Sequence, residues 1–447
     1  MIADVARLLA ANALFLVAGV GVRRALARTD WPGLVRGLGL TYLAGLAAFG
    51  VVAQLALVAG LSLNLPEACA IAVSLFVAGL LRRPALTPSP PPVFTTSTTA
   101  VVAVVMTALG IRSLYEPLAS WDAWAFWTPR AQSLVLLNGL DSHFLHAPST
   151  PNPDYPLLLP SIEATVFRFM GHFDTRLIHL QFWLVVVAFL GALVALLRDQ
   201  VRPAVLRAAV VAIACAPALA SNAESAYADV PLGVFVALAG VLGWRWLVLG
   251  EESALHLLVV FAAAAAATKV EGRLFVGALF VALAVLAARD SLRRSGRCVA
   301  AAAVAGAIGI LPWSVWTHVH NVHGAYHADL RGLAGHADRL PPTLATLIGH
   351  AVDPLEWLLL VPAALAAVVL AYRFAGERRT PSLATLAFVL SLSFLVATYW
   401  ATSYVFEAHL RTSADRVVVA PVLLAAALTP VLLEWVLRAE ERRAAYS

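Results

Sequence analysis

The sequence predicts an all-α polytopic membrane protein, and three observations carry that prediction. Hydrophobic residues make up 61% of the chain and charged ones only 13%. Mean hydropathy is +0.83, a balance with which a water-soluble domain could not cover its core in polar surface. The apolar residues also gather into about thirteen runs of helical length, separated by polar intervals.

Those runs lie near residues 5–22, 34–60, 66–81, 98–115, 175–197, 204–220, 230–249, 254–268, 274–288, 298–317, 355–373, 382–402 and 417–437, so about 13 transmembrane helices are expected. The first lacks a basic leader and a small-residue cleavage site, and Arg23, Arg24 and Arg28 follow it. It is therefore expected to be a span and not a cleaved signal. Arginine clusters at 23–28, 82–83, 198–207, 289–297, 373–379 and 438–443 alternate with sparsely charged connections. With the N-terminus outside, the positive-inside rule puts every cluster in the cytoplasm. The 120–163 interval then falls on the opposite face, in the periplasm if the protein sits in a Gram-negative inner membrane. Four parts are expected: an N-terminal three-helix transmembrane addition (1–83), a cytoplasmic Pro/Ser/Thr linker (84–97), a working transmembrane module (98–437) and a cytoplasmic tail (438–447). No repeat period is evident.

A net charge of +5 over 447 residues reflects these flanking arginines and not a nucleic-acid face. Cys69, Cys215 and Cys298 lie in or beside apolar runs without CxxC spacing, which argues against a disulfide framework or a cysteine metal site. Of 31 basic residues only Lys269 is lysine.

The interval 120–163 is the first long polar stretch, opening on SWDAWAFWTPRAQ and closing on PNPDYPLLLPSIEA. Residues 124–137 and 155–170 are expected to form amphipathic helices lying in the membrane interface, the second begun by Pro156. Asp122 stands among Trp121, Trp124 and Trp127. An isolated loop aspartate is commonly a helix cap or a solvated acid. Aromatic neighbours that exclude water would instead suit a general base. SNAESAYADVPLG supplies Glu224, Tyr227 and Asp229 on the same expected face, as caps or as a second acidic wall.

Lys269 lies in ATKVEGRLF between two short apolar runs. A hairpin that short leaves its turn below the membrane surface, where ionisable groups usually serve function. Lys269 and Arg273, beside Glu271, could hold a lipid-linked phosphate or could simply pair locally. Arg411 and Arg416 in the last outside loop could grip a phosphate through the guanidinium fork, or anchor the interface. Trp121, Trp124, Tyr155 and Tyr227 are the candidate aromatic substrate contacts. His318, His320, His323, His327, His336 and His350 crowd one loop without recognisable ligand spacing, so no metal site is assigned there. No Walker A, GxGxxG, GxSxG or HExxH motif occurs.

An aspartate in the first outside loop, a later YAD-type acidic loop, a TKxEG turn and an arginine-bearing last loop together resemble the integral-membrane glycosyltransferases of the GT-C fold. The branch is that of protein O-mannosyltransferases and the aminoarabinose transferase of lipid A, and the resemblance covers roughly 98–437. It implies transfer of a hexose or pentose from a polyprenyl-phosphate-linked sugar to a hydroxyl on a glycan, lipid or protein. By that resemblance Asp122 is the catalytic base, Asp229 or Glu224 the second acid, and Lys269 with Arg411 or Arg416 faces the donor phosphate. Two departures stand out: three spans precede the module, and Asp122 lacks an adjacent acid. The second leaves a divalent cation an open possibility, since paired carboxylates would be its natural ligands. The competing expectation is a transporter or flippase of a lipid-linked sugar, which also uses intramembrane charge.

Overall fold

A computed structural model describes residues 2–85, 93–324, 326 and 333–444. Residues 86–92 of the linker, His327 and the end of the C-terminal tail lie outside the described residues. The chain is 81% helical, and its only β pairing among the described residues is one isolated bridge between Thr29 and Ala85. It is a multi-pass membrane protein.

Each apolar run is helical, but not all thirteen have the length and hydropathy of a span. Eight helices are long and apolar enough to cross a membrane alone, or up to eleven if three bent pairs count as one span each. Leu65–Leu80 (16 residues) and Glu252–Thr268 (17 residues) are the shorter ones. At 1.5 Å per residue they reach about 24–26 Å, less than a hydrocarbon core of about 30 Å. Prolines account for two of the bends. Pro217 opens the second half of a pair bent by 48° and Pro312 that of a pair bent by 41°, each lacking the N–H that would continue the ladder. The third pair, Gly335–Trp357 and Leu360–Ala375, turns through 108°. Val281, Val285 and Val369 are half exposed or more, as expected of surface facing lipid.

The N-terminal helices are packed into the body. Ile2–Ala27 lies against Leu38–Val58 and Leu65–Leu80 so closely that a Cβ on Gly45 would sit 1.8 Å from the Phe15 carbonyl oxygen. Such small-residue contact is how helices associate in lipid, where hydrophobic drive is weak. Gln54 of the second helix accepts from the Leu157 backbone N–H (2.9 Å) and donates to the Gly309 carbonyl (3.4 Å). Tyr42 donates to Asn12 (2.6 Å) and accepts from Gln181 (2.7 Å).

Leu158–Met170 corrects one expectation. It is not interfacial: it is buried almost throughout, including Ser161, Glu163 and Thr165, and packs on Thr128–Leu136 and the N-terminal helices. The amphipathic pattern was real, but its polar face meets protein. By contrast the π-helical turn Ala123–Trp127 and the helix Thr128–Leu136 leave Trp121, Trp124, Leu136 and Leu137 exposed.

Asp229–Leu249 sets the depth of the molecule. Its 21 residues span about 30 Å, with Asp229 at one end and Arg245 near the other. The Asp229 end holds a charged cavity; the other end holds the arginine clusters.

Candidate functional site

The site is assembled by a folded loop on one side and three helix ends on the other. Arg130, fully buried, turns inward and donates to the backbone carbonyls of Pro151 (3.3 Å), Tyr155 (2.9 Å) and Asn152. Its guanidinium lies 4.2 Å over the Phe126 ring. Trp313 donates from its indole nitrogen to the Asp154 carbonyl (2.6 Å), and Trp127 stacks on Tyr155 at 5.9 Å. Bound in this way, residues 151–155 present Asn152 and Tyr155 to a cavity of about 630 Å³.

Asp122 lines that cavity. It precedes the π-helical turn but makes no cap hydrogen bond there, so capping does not explain it. Its partner is Arg416, 294 residues away, whose Nη1 donates to Oδ2 at 2.5 Å. Arg416 also donates to the Thr412 carbonyl (3.0 Å) and lies 4.4 Å over the Tyr227 ring. The guanidinium is thus fixed on three sides, and Asp122 keeps Oδ1 clear of it.

Lys269 forms the floor. Its backbone is extended (φ −151°, ψ 156°), breaking the chain between Glu252–Thr268 and Val270–Ala288. Nζ donates to Asp229 Oδ1 at 2.8 Å and lies 3.4 Å from Glu271 Oε1. Asp229 itself is buried behind the lysine, and Glu271 shares the cavity wall. Ala226, in the left-handed region at φ 53°, turns the chain sharply just before Tyr227 and Asp229. An alanine rarely adopts that conformation without compensating contacts.

The remaining wall is one helix face. His409, Thr412, Ser413 and Arg416 recur at i, i+3, i+4 and i+7 of Phe406–Val417, and Tyr404 precedes them. Thr402 Oγ1 lies 2.9 Å from His409 Nδ1, and Tyr404 donates to Asn152 Oδ1 at 2.9 Å. Burial raises the Tyr155 phenol well above its ordinary range, with Glu271, Asp154 and Asp122 adding to the effect; Tyr404 shifts upward for similar reasons. Both phenols stay neutral donors at physiological pH.

A second cavity of about 540 Å³ adjoins the first, sharing Trp121, Phe126 and Pro151 and adding Trp124, Phe144 and Arg130. Trp121 and Trp124 meet edge to face there at 5.1 Å.

Of the residues singled out in the sequence, Trp121, Asp122, Tyr155, Tyr227, Lys269 and Arg416 line the charged cavity, and Asp229 supports it from behind. Trp124 belongs to the adjoining one. Glu224 is directed elsewhere, to a 2.8 Å ion pair with Arg112. Arg411 is exposed and off the cavity, and Arg273 lies behind the wall within the fields of Asp154 and Glu271. Glu271 was expected only as a local partner of Lys269, His409 only as one of several polar groups in the last outside loop, and Tyr404 was not singled out. The i, i+3, i+4, i+7 recurrence was the available signal for His409. Among the described residues no group of three or more His, Cys, Asp or Glu side chains could hold a metal ion, so the divalent cation has no ligand cluster there.

Beneath the loop, Glu163 is wholly buried beside Thr128, and burial pushes its carboxyl up to about 8. A raised acid favours folding below its unfolded value of about 4.5, and that contribution is lost as pH rises through about 8. Glu163→Gln mimics the neutral form. Its Tm is expected to exceed the parent's at pH 8, with the difference disappearing near pH 4; equal differences at both would separate Glu163 from the pH dependence.

The chain matches no protein-family model, no curated protein and no solved structure at a significant level.

Proposed function

We propose that the protein is a membrane glycosyltransferase that moves a sugar from a polyprenyl-phosphate-linked donor to an acceptor hydroxyl, on the non-cytoplasmic face of the plasma membrane. The observation that carries this reading is Asp122, held by Arg416 in a charged cavity that adjoins an aromatic one through Trp121. A displacement at a sugar carbon needs a base on the acceptor side and cations on the leaving-group side. Asp122 Oδ1 takes the acceptor proton, the acceptor oxygen bonds to the anomeric carbon, and the bond from that carbon to phosphate oxygen breaks. The electron pair leaves on polyprenyl phosphate, and the configuration inverts. Arg416 faces the departing phosphate. Lys269 has three N–H donors; Asp229 takes one, Glu271 lies near a second, and the third serves a ligand in the cavity. The edge-to-face tryptophans of the adjoining cavity suit a sugar or lipid acceptor.

The test is incubation of purified protein with a panel of radiolabelled polyprenyl-phosphate sugars. The expected result is label transferred or slowly hydrolysed from one of them. Protein that translocates a donor across vesicles while leaving it intact would favour the transporter instead.

A further inference from the structure

The end of the bundle remote from the cavity contains many arginines, and several are paired with acids. Arg202 meets Glu434 and Glu441, Arg294 and Arg379 share Asp290, and Arg297 meets Glu252. Arg245 is held by two carboxylates, Asp199 at 2.9 Å and Glu251 at 2.7 Å.

Arg23 and Arg198 have no ion pair among the described residues, yet they sit together. Both line a recess of about 290 Å³ together with Thr29, Arg245, Asp199 and Glu251. The two acids of the recess are already occupied by Arg245. Arg23 is 8% exposed, and its Nη1 donates only to neutral groups: Thr41 Oγ1 (2.8 Å) and the Gly37 (3.2 Å) and Gly33 (3.3 Å) carbonyls. Its Nε is buried with no partner. Arg198 lies within the repulsive fields of Arg23 and Arg36, with Asp199 acting against that repulsion at Arg198 and Asp30 acting against it at Arg23. Burying one guanidinium with spare donors beside another is costly unless an anion joins them.

We propose that this recess binds a phosphate group, carried on a lipid headgroup or on a soluble ester. Three guanidiniums against two carboxylates leave the recess one positive charge in excess, and Arg198 supplies an uncommitted fork. Basic pockets between helices at the arginine-rich side of a membrane protein are where anionic headgroups lodge. The site is separate from the charged cavity and independent of the proposed glycosyl transfer.

The experiment uses full-length protein purified in detergent with no sugar donor present, and dissociation constants measured by native mass spectrometry. Dioleoyl-phosphatidylglycerol probes the lipid source, dioleoylglycerol is its phosphate-free control, and glycerol 3-phosphate probes the soluble source. Binding of the first but not the second identifies a headgroup; binding of the third alone identifies a soluble ester. Arg198→Gln is expected to weaken the binding probe on the order of 10-fold or more, the cost of one charge-assisted hydrogen bond. Arg23→Gln risks the fold, because Nη1 ties three backbone and side-chain oxygens, so Arg198→Gln carries the test. Arg289→Gln, exposed at the same end and off the recess, is expected to change nothing. Failure of both phosphate probes to bind the parent overturns the proposal. So does equal binding by parent and Arg198→Gln, or an equal loss in Arg289→Gln.

Discussion

Asp122→Asn is expected to fold like the parent, to bind polyprenyl phosphate normally, and to turn over about 10²–10⁴-fold more slowly, the usual cost of losing a positioned base. Asparagine keeps the shape of the carboxylate and one oxygen for Arg416, so cavity geometry should survive. What it cannot do is accept the acceptor's proton. Single-turnover rates with donor saturating separate this from weaker binding. A rate within a few-fold of the parent would remove Asp122 from the chemistry and leave Glu271, the other acid on the cavity wall, as the candidate base.

Lys269→Met carries the second large effect, on stability. The ammonium is 5% exposed, and its removal leaves Asp229, itself 3% exposed, as a buried charge whose nearest cation is gone. Removing one partner of a buried ion pair typically costs about 3–5 kcal/mol. Adding Asp229→Asn to Lys269→Met should recover part of that loss, because the orphaned carboxylate disappears with it. Chemical denaturation in micelles reads both. A Lys269→Met protein as stable as the parent would mean the pair does not stabilise the fold. If it is stable and binds polyprenyl phosphate as tightly as the parent, the phosphate contact at Lys269 also falls.

The apolar runs were legible because bilayer solvation imposes composition directly, so each run became a helix. Their number was less so: whether Glu252–Thr268 crosses depends on depth and on the break at Lys269, which hydropathy does not measure. The site shows a similar division. Asp122, Tyr227, Lys269 and Arg416 each carried a chemical oddity in sequence, and they meet in one cavity. Glu224 carried the same oddity five residues before Asp229, yet the left-handed Ala226 between them separates their directions. Arg411 was separable in principle. Five residues on a helix turn the side chain by about 140°, so Arg411 and Arg416 cannot both face one cavity. The role of Arg130 was hidden more deeply. Nothing in WDAWAFWTPR says that its guanidinium would close on carbonyls more than twenty residues ahead.

The Asp122–Arg416 contact also has a bearing on biogenesis. Helices enter the bilayer in the order of synthesis, and the aspartate is placed early, while its cation arrives on nearly the last helix. Until Phe406–Val417 has docked, the first loop holds an uncompensated carboxylate, and the charged cavity lacks one wall. A nascent or C-terminally truncated chain would carry most of the helices needed to sit in the membrane and still have an open, unpaired cavity. Completion of synthesis is thereby coupled to completion of the cavity.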